Sequence, residues 1–166
     1  MIAAGVGASA LILITTLAGI TPSWPNGIVQ LTAIFQLTIL AIVFQTMEHS
    51  SKSTITKFMK KTMIIGLLSL ITYLLIYSIF HYTLPEGKIA VRGMFCTNDA
   101  LIRYDSCPLL TTTEIADAQY DQEKLWTVLG IGISRVLVMV LWICFFSSLV
   151  SFLGSFAAYR NRKEIL

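Results

Sequence analysis

Few residues of this chain are able to do chemistry, and three of them are cysteines. Cys96 and Cys107 stand in the only long polar segment, whereas Cys144 stands in an apolar run. A cysteine pair serves as a structural disulfide, as half of a metal site or as a redox-active pair. The only histidines are His49 and His81, and their placement gives the two thiols no second pair of zinc ligands. We therefore expect no metal site and no bound cofactor.

Composition indicates the class of protein. The chain has 166 residues, of which 55% are hydrophobic and 13% are charged. Soluble domains carry about 25% charged residues. The sequence therefore predicts an integral membrane protein, and its length predicts one domain, residues 1–166.

Four segments are long and apolar enough to cross a bilayer, which takes about 20 residues. They are residues 3–20, 28–47, 62–82 and 136–158, each with approximate ends. The first lacks the basic start of a signal peptide, so we interpret it as a span. The predicted fold is all-α, a bundle of four transmembrane helices.

Basic residues predict the orientation. The linker 48–61 contains Lys52, Lys57, Lys60 and Lys61, and the tail 159–166 contains Arg160, Arg162 and Lys163. Residues 83–125 carry seven acids against four bases. Because basic loops stay inside, both termini are expected to be cytoplasmic and loop 83–125 extracytoplasmic, in a bacterial inner membrane.

The linker and the tail are also the expected contact sites for a cytoplasmic protein or for anionic lipid. Ile55, Phe58 and Met59 are spaced to face lipid if the linker lies along the membrane surface. No groove of basic and aromatic residues indicates direct nucleic-acid binding.

An extracytoplasmic location favours a disulfide between Cys96 and Cys107, since thiols pair in oxidising spaces. Four spans with a cysteine pair in the second outer loop resemble quinone-linked thiol oxidases of the DsbB type. That resemblance implies a Cys-x-x-Cys pair in the first outer loop, which here reads TPSWPNG, residues 21–27, without cysteine. We therefore predict a structural disulfide and no catalytic residue, and we expect Cys144 to be a packing residue.

Two features of the last span suggest its shape. Arg135 lies 25 residues before Arg160, about 37 Å of helix, so we expect Arg135 to reach the outer headgroups, with a functional charge as the alternative. Helical character continues upstream, where Thr111 and Glu114 have capping-box spacing. An unbroken helix over residues 115–158 would project from the membrane, and an extracytoplasmic cap would occupy about residues 83–135.

Small residues recur along the last span and predict a close helix contact. Packing within the bundle and contact with a second copy both explain them. We favour self-association because the first span offers a similar face. The residues are Ser147, Ser151, Gly154, Ser155 and Ala158.

Three function classes remain. The first is a non-catalytic membrane sensor or assembly subunit, expected to be oligomeric and coupled to a cytoplasmic partner. The second is a pore-forming or membrane-perturbing oligomer, and the third is a membrane enzyme with redox or lipid chemistry. In span number, size and charge layout the chain also resembles the membrane component of bacterial antiphage systems such as Kiwa, which implies a cytoplasmic partner.

Overall fold

The computed structural model describes residues 14–85, 87 and 89–161, and these are mostly helical. Among the described residues, three helices are long and apolar enough to cross a membrane, as expected of an integral membrane protein. Residues 14–17 are helical, but most of the predicted span 3–20 lies outside the described residues. The elements are α1 (Ile28–Glu48), α2 (Lys52–Phe80), β1 (His81–Thr83), β2 (Ile89–Val91), α3 (Asn98–Arg103), α4 (Thr112–Asp117), α5 (Gln122–Leu125) and α6 (Val128–Asn161).

Two compact units divide the chain. The helix unit contains residues 14–21, Pro25–Thr72 and the described residues from Leu141 onward. The loop unit contains Pro22–Trp24 and Tyr73–Val140. Both α2 and α6 therefore have one end in each unit.

In the helix unit, α1 buries one stripe of side chains. Its buried residues recur every three or four positions, which places them on one face of the helix. Val43 and Met47 of this stripe pack with Ile55 of α2 and Ala158 of α6 in one apolar cluster. Gly27, with φ of 85°, allows the chain to turn into α1 without a steric penalty.

The predicted linker and the third span form one helix. α2 has 29 residues, about 44 Å, so it exceeds a hydrocarbon core of about 30 Å. Ile55 is fully buried, so the prediction that it faces lipid is wrong, whereas Phe58 and Met59 are half-buried beside it. All three side chains pack in the cluster that contains Val43 and Met47.

The segment between α2 and α6 is not all helical. β1 and β2 form an antiparallel ribbon in which His81 pairs with Val91 and Thr83 with Ile89. The predicted all-α fold is thus mostly helical with one small two-stranded sheet.

The predicted unbroken helix over residues 115–158 is wrong. α4 ends at Asp117, and Gln119 and Tyr120 then adopt left-handed backbone with φ of 58° and 59°. α5 follows as one short turn, and α6 begins only at Val128. The predicted capping box is confirmed: Thr111 and Glu114 bond reciprocally at the start of α4.

Candidate functional site

The loop unit has a core of its own, centred on Trp126. Trp126, Leu110 and Ile115 are fully buried, and Leu125 is 1% exposed. Fully burying one large apolar side chain stabilises a fold by about 1.5–3 kcal/mol. These four side chains therefore give the loop a fixed structure despite its polar composition.

Trp126 is positioned by one hydrogen bond and by close packing around its side chain. Its indole Nε1 donates a hydrogen bond of 3.1 Å to the carbonyl oxygen of Pro108. A Cβ atom at Gly93 would lie 2.5 Å from Cβ of Trp126, so only glycine fits there. The Tyr82 ring lies 6.0 Å from the Trp126 ring, centroid to centroid.

A disulfide bond joins Cys96 to Cys107. Cys96 pairs with Trp126 as an isolated antiparallel bridge, and Cys107 precedes Pro108, the acceptor of the indole bond. The disulfide therefore joins two segments that both contact Trp126. It closes the loop directly over its core.

Glu114 forms hydrogen bonds with two residues near Cys107, Ser106 and Thr111. Its Oε2 atom accepts hydrogen bonds of 2.7 Å from Oγ of Ser106 and from both the backbone N–H and the Oγ1 of Thr111. The Ser106 bond, followed by the two from Thr111, lowers the pKa of the Glu114 carboxyl from its ordinary value of 4.5. A carboxylate thus ties the segment after α3 to the start of α4.

The loop is also tied to the end of α2. The backbone N–H of Arg92 donates to the carbonyl of Phe80 at 2.7 Å, and its Nη1 donates to the carbonyl of Ile79 at 3.2 Å. The last carbonyls of a helix lack partners within the helix, so Arg92 satisfies two of them. Nε2 of Gln122 donates to Oη of Tyr82 at 3.1 Å, which adds α5 to the same junction.

The start of α6 has a matching attachment. The N–H of Thr127 donates to the carbonyl of Phe95 at 2.9 Å, and the N–H of Met94 donates to the carbonyl of Gly130 at 3.2 Å. A Cβ atom at Gly130 would lie 2.7 Å from the backbone nitrogen of Phe95. The chain beside Cys96 therefore packs directly on the first turn of α6.

Arg135 lies in α6, half-buried, about 10 Å along the helix from its start. With Trp24 it lines an apolar cavity of about 680 Å³, whose other walls include Leu129, Ile133 and Val140. Arg135 therefore shares this cavity with a tryptophan, a residue type that is enriched at membrane interfaces.

A second cavity, of about 550 Å³, lies in the loop unit and carries charges of both signs. Asp99, Asp117 and Glu123 are exposed at this cavity, with Arg103 and Lys124 beside them. Within the described part of the chain, no three His, Cys, Asp or Glu residues are grouped so as to hold a metal ion.

The small-residue face of α6 packs against α1 within the chain, which is one of the two explanations that the sequence left open. Ser155 is fully buried and Ala158 is 4% exposed. A Cβ atom at Gly154 would lie 3.1 Å from Cδ1 of Leu40 and 3.4 Å from Cγ1 of Val43. Ser151 is also buried, and Ser147 is half-buried.

The predicted basic contact sites are exposed where the structure describes them. Four lysines lie in the first ten residues of α2, and Arg160 lies in the last turn of α6. Arg162 and Lys163 lie outside the described residues. The exposed lysines are Lys52, Lys57, Lys60 and Lys61.

Sequence reasoning placed the two cysteines together but missed Trp126, Arg92, Gly93 and Gln122. Trp126 is the only tryptophan in the predicted cap, residues 83–135, which was the one available signal. Arg92 and Gln122 gave none, because their partners are distant in the chain: backbone carbonyls for Arg92, and the Tyr82 hydroxyl and the Val91 carbonyl for Gln122.

These features define a class, a mostly helical integral membrane protein with a disulfide-bonded loop unit. The chain matches no family model, no curated protein and no solved structure.

Proposed function

We propose that this protein is a non-catalytic multi-pass membrane subunit that acts as a sensor or assembly component. In this proposal four spans place both termini in the cytoplasm of a bacterium, and loop 83–125 faces outward from the inner membrane. The loop unit meets a stimulus or partner there, and the cytoplasmic ends of the helices pass the change to a soluble protein.

One observation carries the proposal: the Trp126 core is attached without a flexible linker to the ends of two membrane helices. Phe80, the last residue of α2, is followed directly by β1 and accepts the N–H of Arg92. Trp126 stands two residues before α6, and Thr127 bonds to Phe95 beside the disulfide. In this proposal, a displacement of the Trp126 core moves the end of α2 and the start of α6.

The basic start of α2 supports a cytoplasmic partner. Its four lysines are exposed, and the first of them, Lys52, lies at the helix start, where a positive side chain is unfavourable beside the positive end of the helix dipole. An acidic protein surface or anionic lipid would offset that repulsion. Homo-oligomerisation is part of the proposal, with α2 as the helix that exposes apolar surface along its length.

The coupling test places two labels at the ends that are proposed to be cytoplasmic. Ser53→Cys and Asn161→Cys in a Cys144→Ser background receive thioether-linked spin labels, and the label-to-label distance is measured in vesicles. An impermeant phosphine then reduces the loop disulfide. We expect the distance distribution to change, because the reduced loop no longer holds α2 and α6 in one arrangement.

The matched control also carries Cys96→Ser and Cys107→Ser, so that the phosphine has no target. Its distance distribution should not respond to the reductant. An unchanged distribution in the disulfide-bonded protein, with reduction verified by electrophoresis, would refute coupling between loop and helices.

Assembly is tested by the native mass of the complex released gently from its own membrane. A whole multiple of 18.4 kDa supports a homo-oligomer, and additional mass indicates a bound partner. A mass of one chain alone contradicts both.

A further inference from the structure

The short helix α3 exposes its two large apolar side chains and buries a small one. It buries Ala100, which is 2% exposed, and presents Leu101 and Ile102, which are 57% and 88% exposed. Leaving such side chains in water forfeits about 1.5–3 kcal/mol each relative to full burial. The loop unit would be more stable in water if Leu101 and Ile102 were buried in its core. Their exposure therefore indicates that the outward face of α3 contacts another apolar surface.

Two further apolar side chains of the loop are exposed in the same way. Phe95 is 53% exposed and Leu109 is 49% exposed. Both are close in the chain to the disulfide, Phe95 beside Cys96 and Leu109 two residues beyond Cys107.

The segments that carry these four side chains all attach to the residues leading into α6. Phe95 bonds to Thr127, and the carbonyl of Pro108, next to Leu109, accepts the indole N–H of Trp126. The N-cap of α3 is Thr97, whose N–H donates to the carbonyl of Leu125 at 3.1 Å. α3 has six residues, about 9 Å, and begins beside the residues that lead into α6.

The surface beside them is the outer face of a membrane helix. Val128 and Leu129, in the first turn of α6, are 75% and 70% exposed, and Phe95 packs its backbone on this same turn. Exposed apolar side chains are therefore present both in the first turn of α6 and at Phe95, whose backbone packs on that turn. Arg103 follows Ile102 and is exposed, which places a cation next to the apolar pair.

We propose that Phe95, Leu101, Ile102 and Leu109, here called the apolar collar, insert into the headgroup–acyl boundary of the bilayer and seat the loop unit on the lipid. Burial of apolar side chains at this boundary and attraction of a basic residue to anionic lipid are the two terms that favour binding there. Arg103 meets lipid phosphate there. The occupant is a phospholipid surface, and the inference rests on the three membrane helices without depending on the sensor function.

Spin labels report where the collar lies. Ile102→Cys and Phe95→Cys are labelled separately in a Cys144→Ser background and reconstituted in vesicles of phosphatidylethanolamine and phosphatidylglycerol. Collision rates are measured with oxygen, which concentrates in lipid, and with a neutral nickel chelate, which stays in water. The reference is Ala116→Cys, an exposed position in α4 beside Asp117.

We expect the collar labels to collide several-fold more with oxygen than with nickel, and the reference label to show the reverse preference. High nickel accessibility at both collar positions would place them in water and overturn the proposal. Low accessibility to both reagents would mean that protein, a partner or a second copy, covers the collar, and would overturn it as well. Retention of the disulfide-dependent gel shift shows that each variant forms the Cys96–Cys107 bond, and the two collar positions give independent readings.

Discussion

Nε1 of Trp142 donates a hydrogen bond of 3.0 Å to Oγ1 of Thr32, and this bond joins α6 to α1. Oγ1 of Thr32 in turn donates to the carbonyl of Ile28 at 2.7 Å. Both side chains are 1% exposed. Because hydrocarbon supplies no alternative partner, a buried indole N–H needs this acceptor. The pair therefore fixes which faces of the two helices meet.

Thr32→Val should destabilise the helix unit by about 0.6–2 kcal/mol, since it keeps the side-chain volume but leaves the indole N–H of Trp142 unpaired. Unfolding in mixed detergent measures the change. The matched control is Thr38→Val, since the exposed Thr38 hydroxyl bonds only to the carbonyl of Ile34 in its own helix. Equal losses for the two variants would show that the bond between α1 and α6 has no stabilising role.

Cys96→Ser should loosen the loop unit and leave the helix unit folded. On the chain-entropy model, closing a loop of this length contributes about 3 kcal/mol. Amide hydrogen exchange around Trp126 should therefore accelerate, and the gel shift on reduction should disappear. Cys144→Ser should keep both the shift and the slow exchange. Unchanged exchange in Cys96→Ser would mean that the Trp126 core holds the loop without its disulfide.

The spans were predictable because twenty consecutive apolar residues are a strong compositional signal, and α1 agrees with the predicted span to within a residue or two. Hydropathy does not show how far a helix extends beyond its apolar residues. The sequence therefore did not predict that α2 begins at Lys52, ten residues before the predicted span. Strands of three residues are too short to show periodicity, so the ribbon from His81 to Val91 was missed as well.

The break between α4 and α5 has a tertiary cause. Ile115 and Leu125 both enter the Trp126 core, and the chain turns at Gln119 and Tyr120 between them. Neither residue is a usual helix breaker, so local propensity favours a continuous helix there. The capping box was found because its two side chains act within one turn, whereas the Arg92 contacts depend on the whole loop.

Gly154→Leu should destabilise the helix unit by about 1–3 kcal/mol, because the added side chain overpacks Leu40 and Val43. Gly132→Leu is the matched control, since a Cβ atom at Gly132 meets nothing within 4 Å. Thermal unfolding in detergent and native mass are measured together. A fall in subunit number with unchanged unfolding temperature would instead assign this face to a contact between copies.

Glu114 should make the loop unit sensitive to acid. Hydrogen bonds from Ser106 and Thr111 lower its pKa in the folded protein below 4.5, so the folded state favours the carboxylate. The stabilisation is therefore present above about pH 4.5 and is lost as the pH falls through the folded pKa. We expect Glu114→Gln to speed amide exchange near Thr111 above that pH and to differ less from the parent protein below it. Asp105→Asn, which removes an exposed carboxylate from the same loop, controls for the loss of one negative charge. A difference between Glu114→Gln and the parent that stays constant across this range would mean that the protonation of Glu114 does not contribute to loop stability.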